Sequence, residues 1–332
     1  MSARLGSNVW SVDQLGRLVE VTDSEVIPRA PLSVDARDVV MSGNGLRAPF
    51  RPFDGESGLW LSLANQLWRI DSSGAVASFG AAFTDGIIGG EDDGAATSVV
   101  AGGSMFDLSA KPPARRDDLP RTIRALEVTG GVAVAVAEEG IFQRNGPRWQ
   151  VVLLRSGLSA VATNGDTIAA AGPGVVSLRR DGGWLTAPLP EDGGTSAVTV
   201  TVSAGGDVFA ANGDSVFVFD GGVMEPVFSV SPQIVVDLAS DARGTVALTR
   251  SGLLCNVTLG TCDLIGTGIA GRLWPLAARG LGVTNATPGW LELSTTGEQK
   301  RVSAPFIPLA LWVTRDGGVA AGTANGSVFQ PE

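Results

Sequence analysis

Between Gly131 and Gly157 the chain reads GVAVAVAEEGIFQRNGPRWQVVLLRSG, three short apolar runs cut apart by tight turns that carry Gly or Asn-Gly. VAVAVA, IFQR and RWQVVLL are each too short for a stable helix and have the length and spacing of strands. Looser copies of this unit fill most of the sequence. A glycine closes the first apolar run of each copy, at Gly45, Gly94, Gly131, Gly165, Gly206, Gly244, Gly280 and Gly318. The intervals are roughly 34 to 49 residues, the period of a four-stranded propeller blade.

After each marker comes a small apolar second run, such as VAVAVA, TIAAAG or GVAAGT. Its alanines suit strands squeezed between neighbouring blades. Third runs follow (QLWRID, IFQRN, SVFVFD), then more variable fourth runs (RWQVVLL, WLTAPL, VMEPVF) expected at solvent-facing edges. The expected fold is therefore all-β: a single β-propeller domain over residues 1–332 with eight four-stranded blades, seven being the alternative count. NVWSVDQLGRLVEV matches QLWRIDSSGAVASF position by position. It therefore reads as the outer half of a blade, and pairing of strands within 8–21 with the C-terminal unit 309–332 is expected to close the ring.

Two segments break the repeat. Leu46 to Ser57, LRAPFRPFDGES, is an insertion whose Arg47, Phe50, Arg51 and Phe53 have the aromatic-plus-arginine composition enriched at interface hot spots. Lys111 to Arg121, KPPARRDDLPR, stands where a fourth strand belongs, and its Arg115 and Arg116 are further candidate contacts. Glu138 and Glu139 sit between second and third strands, at the rim of the channel mouth. Alternation along a strand sends such neighbours apart, which argues against a two-carboxylate site there. GGEDDG, from Gly89 to Gly94, is acidic but lacks the alternating oxygen ligands of a calcium loop.

The chain contains no His and no Tyr. That removes the commonest general base, every Ser-His-Asp or Cys-His nucleophile, and His-ligated zinc. Two cysteines are too few for an all-Cys zinc site, so no metal and no cofactor is expected. The formal net charge of −10 opposes binding to phosphate backbones, so no nucleic-acid partner is expected. No run of 18 apolar residues predicts a membrane span, and no basic-then-apolar leader opens the sequence. Cys255 and Cys262 lie in LLCNVTLGTCDLI, a hairpin whose loop, Val257 to Gly260, sets them opposite each other. A disulfide there points to an extracytoplasmic protein.

IFQRNGPRWQVV and VVSLRRDGGWLTAPL resemble Asp-box (BNR-type) propellers, with Asp181, Gly183 and Trp184 approximating that turn at reduced spacing. GDVFAANGDSVFVFDGG resembles regulator-type repeats, and GLWLSLANQLWRIDSSGAVASF resembles those of streptogramin-lyase-type propellers. The resemblance implies a propeller fold. Sialidases of the first group use a Tyr and lyases of the last a His, and this chain has neither. The expected role is non-catalytic binding or scaffolding, with a protein partner. The alternatives are a carboxylate-dependent glycosidase or lyase acting in the channel, or a carbohydrate-binding propeller. The eight Trp residues bear on the last of these, but their recurrence at matching blade positions favours packing.

Overall fold

The structure, a computed structural model, describes residues 83 onward except 84–85, 93–96, 111–112, 130, 191–197, 266–269, 286, 305–306, 324–327 and 330–332. Of the first 82 residues it describes the strands and their pairing. Those strands form two sheets. One is β1 (Ser2–Leu5), β2 (Asn8–Val12), β3 (Arg17–Val21) and β4 (Val26–Pro31); the other is β5 (Gly58–Leu63), β6 (Gln66–Asp71) and β7 (Val76–Ala81).

Six four-stranded blades follow. The first is β8 (Ile87–Asp92), β9 (Thr97–Ala101), β10 (Ser104–Asp107) and β11 (Ala114–Arg115). The second is β12 (Ala125–Thr129), β13 (Val132–Ala137), β14 (Gly140–Asn145) and β15 (Arg148–Leu154). The third is β16 (Ala160–Thr163), β17 (Ile168–Gly172), β18 (Val175–Arg180) and β19 (Gly183–Pro188). The fourth is β20 (Thr199–Val202), β21 (Val208–Asn212), β22 (Ser215–Asp220) and β23 (Val223–Ser229). The fifth is β24 (Val235–Asp241), β25 (Gly244–Thr249), β26 (Leu253–Asn256) and β27 (Thr261–Leu264). The sixth is β28 (Ala270–Pro275), β29 (Leu281–Asn285), β30 (Trp290–Leu293) and β31 (Gln299–Val302). A three-stranded sheet, β32 (Pro308–Val313), β33 (Val319–Thr323) and β34 (Val328–Phe329), completes the order.

The first strand of each sheet from β8 onward lies against the first strand of the next, and β32 returns to β8. These inner strands line one channel, so the molecule is a single all-β propeller. The expected eight blades, and the alternative of seven, are corrected to six four-stranded blades, with the β32–β34 sheet filling the gap between sixth and first. Ring closure by residues 8–21 is corrected too. β2 and β3 are hydrogen-bonded to each other and to β1 and β4, and β34 pairs with β33. Each partner of β2 and β3 lies one short turn away, so pairing closes small loops. Joining the two ends of the chain would close a far larger one.

Packing between blades explains the small residues. Within β13, β17 and β33 nearly every side chain is buried, and alanines dominate because the next blade leaves little room. Ring closure depends on the same economy of space. A Cβ on Gly90 would stand 2.6 Å from the Trp312 ring, and one on Gly322 would stand 2.5 Å from Ile87. Trp312 joins Trp274, Trp290 and Leu311 in a core cluster that spans the sixth blade, the β32–β34 sheet and the first blade. Trp149, Trp274 and Trp312 are thus core residues, as their repeated positions suggest.

The hairpin β26–β27 sets Cys255 opposite Cys262, and the two are joined in a disulfide with a Cα separation of 4.0 Å. Cys255 is fully buried while β27 is exposed along its length. The bond therefore ties a solvated outer strand to the core. Chain entropy for so short a loop gives about 2.5 kcal/mol. We expect Cys255→Ala/Cys262→Ala to lower the urea midpoint accordingly, and an unchanged midpoint would count against a stabilising role.

Candidate functional site

The described candidate contacts do not converge on one site. Arg115 pairs with Asp117. Arg116 chelates Asp118 through Nε and Nη2 at 3.1 and 3.0 Å and also donates to the Pro147 carbonyl, while Asp118 accepts the Trp149 N–H at 3.0 Å. Burial alone would raise the Asp118 pKa, but Arg116 and the Trp149 N–H hold it below the usual carboxylate range. The cluster clamps the first blade to the second. Glu139 accepts the Thr122 hydroxyl at 2.7 Å, and Glu138 lies 4.0 Å from Arg124. Both glutamates are exposed, on the turn between β13 and β14. Arg47, Phe50, Arg51 and Phe53 lie outside the described residues.

The distinctive chemistry is in the channel instead. Glu127 on β12, Asp237 on β24 and Arg272 on β28 act on one another electrostatically. β24 and β28 are neighbours in the ring and β12 stands across it from both, so Glu127 meets the other two only across the lumen. Glu127 keeps some accessible surface yet is enclosed by protein on every side, as a group facing a narrow channel must be.

Asp237 is tied down by three donors. Its Oδ1 accepts the Thr199 hydroxyl at 2.7 Å and the Leu238 N–H at 2.9 Å, and its Oδ2 accepts the Leu273 N–H at 2.9 Å. An inner strand has no neighbour on its channel edge, so N–H groups there need side-chain acceptors. Asp237 supplies one to its own strand and one to β28, and Thr199 of β20 joins it. Enclosure still outweighs these bonds and the nearby Arg272, leaving the Asp237 pKa raised.

Glu127 has less help. It accepts the Thr129 hydroxyl at 3.1 Å. Desolvation, with the charge of Asp237 adding to it, pushes its pKa up from 4.5 to about 7 despite the opposing pull of Thr129 and Arg272. Arg272 is exposed to the lumen, with its guanidinium carbon 5.8 Å from the Trp274 ring centroid. Trp274 is fixed in turn by its Nε1–H, which donates to the Thr284 hydroxyl at 3.2 Å.

The raised pKa has a defined effect on stability. The folded protein holds the Glu127 proton more tightly than the unfolded chain does. Stability is therefore fully present below pH 4.5 and is lost as pH rises toward about 7. Glu127→Gln removes that loss. It is expected to be nearly neutral in acid and to stabilise by about 3 kcal/mol at most in mild alkali. Parallel melting curves across the pH range check this, and a wild-type-minus-variant difference that does not change with pH would refute it.

Sequence reasoning missed all three channel residues, although a signal was there. Each is a charge flanked on both sides by uncharged, non-polar residues in a first strand: ALEVT, VVDLASD and AGRLWP. Among the described residues no three metal-ligating side chains converge, and no helix is long and apolar enough to cross a membrane.

No protein-family model and no curated protein matches the chain. Solved structures do. The extracellular domain of a putative hybrid two-component system from B. thetaiotaomicron matches with a TM-score of 0.56 at 11% identity, over 74% of this chain and 38% of that one. The chain thus spans well under half the length of that protein. The WD40 β-propeller domain of Doa1 matches with a TM-score of 0.53 at 10% identity, over 74% and 92% of the two chains. YCF48 from Cyanidioschyzon merolae matches with a TM-score of 0.55 at 10% identity, over 74% and 95%, and a structure of YCF48 bound to a D1 peptide matches as well. At these identities the likeness shows the propeller fold. It leaves the narrower likeness to Asp-box or lyase-type propellers without support.

Proposed function

We propose that this protein is a non-catalytic binding propeller that presents its loops to a protein partner outside the cytoplasm. The observation that carries the reading is the state of Asp237. Both of its oxygens are engaged by backbone N–H groups, and a carboxylate so engaged serves the scaffold. With three hydrogen bonds already accepted, it is poorly placed to attack a substrate or take its proton. The rest of the chain lacks the His and Tyr that propeller enzymes of the resembled groups use. The disulfide fits an oxidising compartment. That a similar propeller, YCF48, binds a D1 peptide supports a polypeptide ligand, and loops on a rigid ring are where recognition is commonly placed.

The insertion at 46–57 is the contact we favour, through Arg47, Phe50, Arg51 and Phe53. Replacing 46–57 with a short Gly-Ser turn is expected to leave the melting temperature near wild type while abolishing capture of the partner that wild type retains from cell-envelope extract. Undiminished capture rejects the insertion as the contact. A hydrolytic or lyase activity lost in Glu127→Gln would overturn the non-catalytic reading itself.

A further inference from the structure

Four consecutive inner strands carry a β-bulge near their entry, between Val235 and Asp237 on β24, Ala270 and Arg272 on β28, Pro308 and Ala310 on β32, and Ile87 and Gly89 on β8. β12, β16 and β20 pair in regular register. A bulge adds one residue and re-aims the side chain that follows it, and such devices gather beside functional sites. Here the residue after the bulge is Asp237 on β24 and Arg272 on β28. Asp237 is committed to the backbone. The Arg272 guanidinium makes no hydrogen bond among the described residues, yet it faces the lumen and is held over Trp274. On the next inner strand the extra residue is Leu309, 38% exposed.

We propose that the channel is a binding site for a small monocarboxylate, with Arg272 gripping the carboxylate, Glu127 donating to it from across the lumen, and Leu309 meeting a short apolar tail. A guanidinium offers two parallel N–H donors that match a carboxylate. A single negative charge suits the site better than the double charge of sulfate, because Asp237 already brings one anion to Arg272. The other charges around β12 are engaged elsewhere. Glu91 of β8 pairs with Arg144 at 3.1 Å, and Asp92 accepts the Arg315 N–H at 3.0 Å. Glu127 therefore answers to Asp237, Arg272 and the ligand. A carboxylate bound beside it favours its protonated, donating form, so binding takes up a proton and weakens as pH rises.

The test is calorimetric titration of sodium butyrate into the full chain at about pH 6 and about pH 8, with sodium sulfate as comparator. Butyrate is expected to bind severalfold more tightly at the lower pH and more tightly than sulfate. Arg272→Gln should weaken it about tenfold or more, while Lys300→Gln, on the outer strand β31, should leave it unchanged. Glu127→Gln should still bind butyrate but lose the pH dependence. That arm and the wild-type pH pair hold even where Arg272→Gln fails to fold. Absence of butyrate binding at the lower pH, tighter binding at the higher pH, preference for sulfate, or wild-type affinity in a folded Arg272→Gln protein would each overturn the proposal.

Discussion

Gly90→Val is expected to unfold the ring under conditions in which the wild-type protein is stable. Gly90 lies on the inner strand of the first blade, and its missing side chain is the space that Trp312 occupies. Ring atoms of Trp312 stand 2.6, 2.7 and 2.8 Å from where a Cβ would be, closer than real Cβ contacts come. The indole cannot swing aside, because it is 5% exposed and packed in one cluster with Trp274, Trp290 and Leu311. Overpacking a rigid core costs about 1–3 kcal/mol for ordinary insertions, and a β-branched residue against an immobile ring should exceed that, at about 4 kcal/mol or more. Urea denaturation measures it. Trimming the obstruction in Gly90→Val/Trp312→Leu should recover part of the loss, which would assign the effect to this contact. A single variant with the wild-type midpoint would show that the two sheets do not meet as described.

Asp237→Ala should be the most damaging change among the channel residues. It strands the Leu273 N–H and the Thr199 hydroxyl on an edge with no strand neighbour, and leaves the Leu238 N–H only its longer bond to the Thr199 oxygen at 3.3 Å. An orphaned buried donor costs about 1–3 kcal/mol. Removing a carboxylate that enclosure already disfavours offsets part of this, so a net loss of about 3 kcal/mol is expected. Asp237→Asn keeps one acceptor oxygen and should lose less. Amide exchange locates the effect: protection at Leu238 and Leu273 should fall more than at Leu248 of β25. Equal loss at all three would mean global destabilisation without a local role for the carboxylate.

The contrast between these residues and Glu127 separates scaffold from site. Asp237 is raised in pKa yet is tied to three donors, which come from three inner strands. Glu127 has one hydroxyl partner and a pKa near neutrality, so its charge can follow a ligand. A group in that position changes state with little free energy, which is what a binding channel linked to pH requires.

By itself the sequence determined what depends on neighbours along the chain. The three-strand run from Gly131 is β13, β14 and β15, and the hairpin loop from Val257 to Gly260 does set Cys255 against Cys262. These features rest on alternation, turn residues and short loops, all local. The alanine-rich second strands and the recurring Trp residues announced tight packing between blades, and β17 and Trp312 are buried accordingly. Tertiary structure alone decided how many four-stranded blades share the ring and which strands the N-terminal segment pairs with. Matching NVWSVDQLGRLVEV to a later repeat shows that both are outer-strand-like. It cannot show that a hairpin partner a few residues away outcompetes a sheet edge at the far end of the chain. The channel site was hidden for the same reason. Glu127, Asp237 and Arg272 belong to the second, fifth and sixth blades, and only closure of the ring brings their charges into one lumen and takes Glu127 and Asp237 out of water.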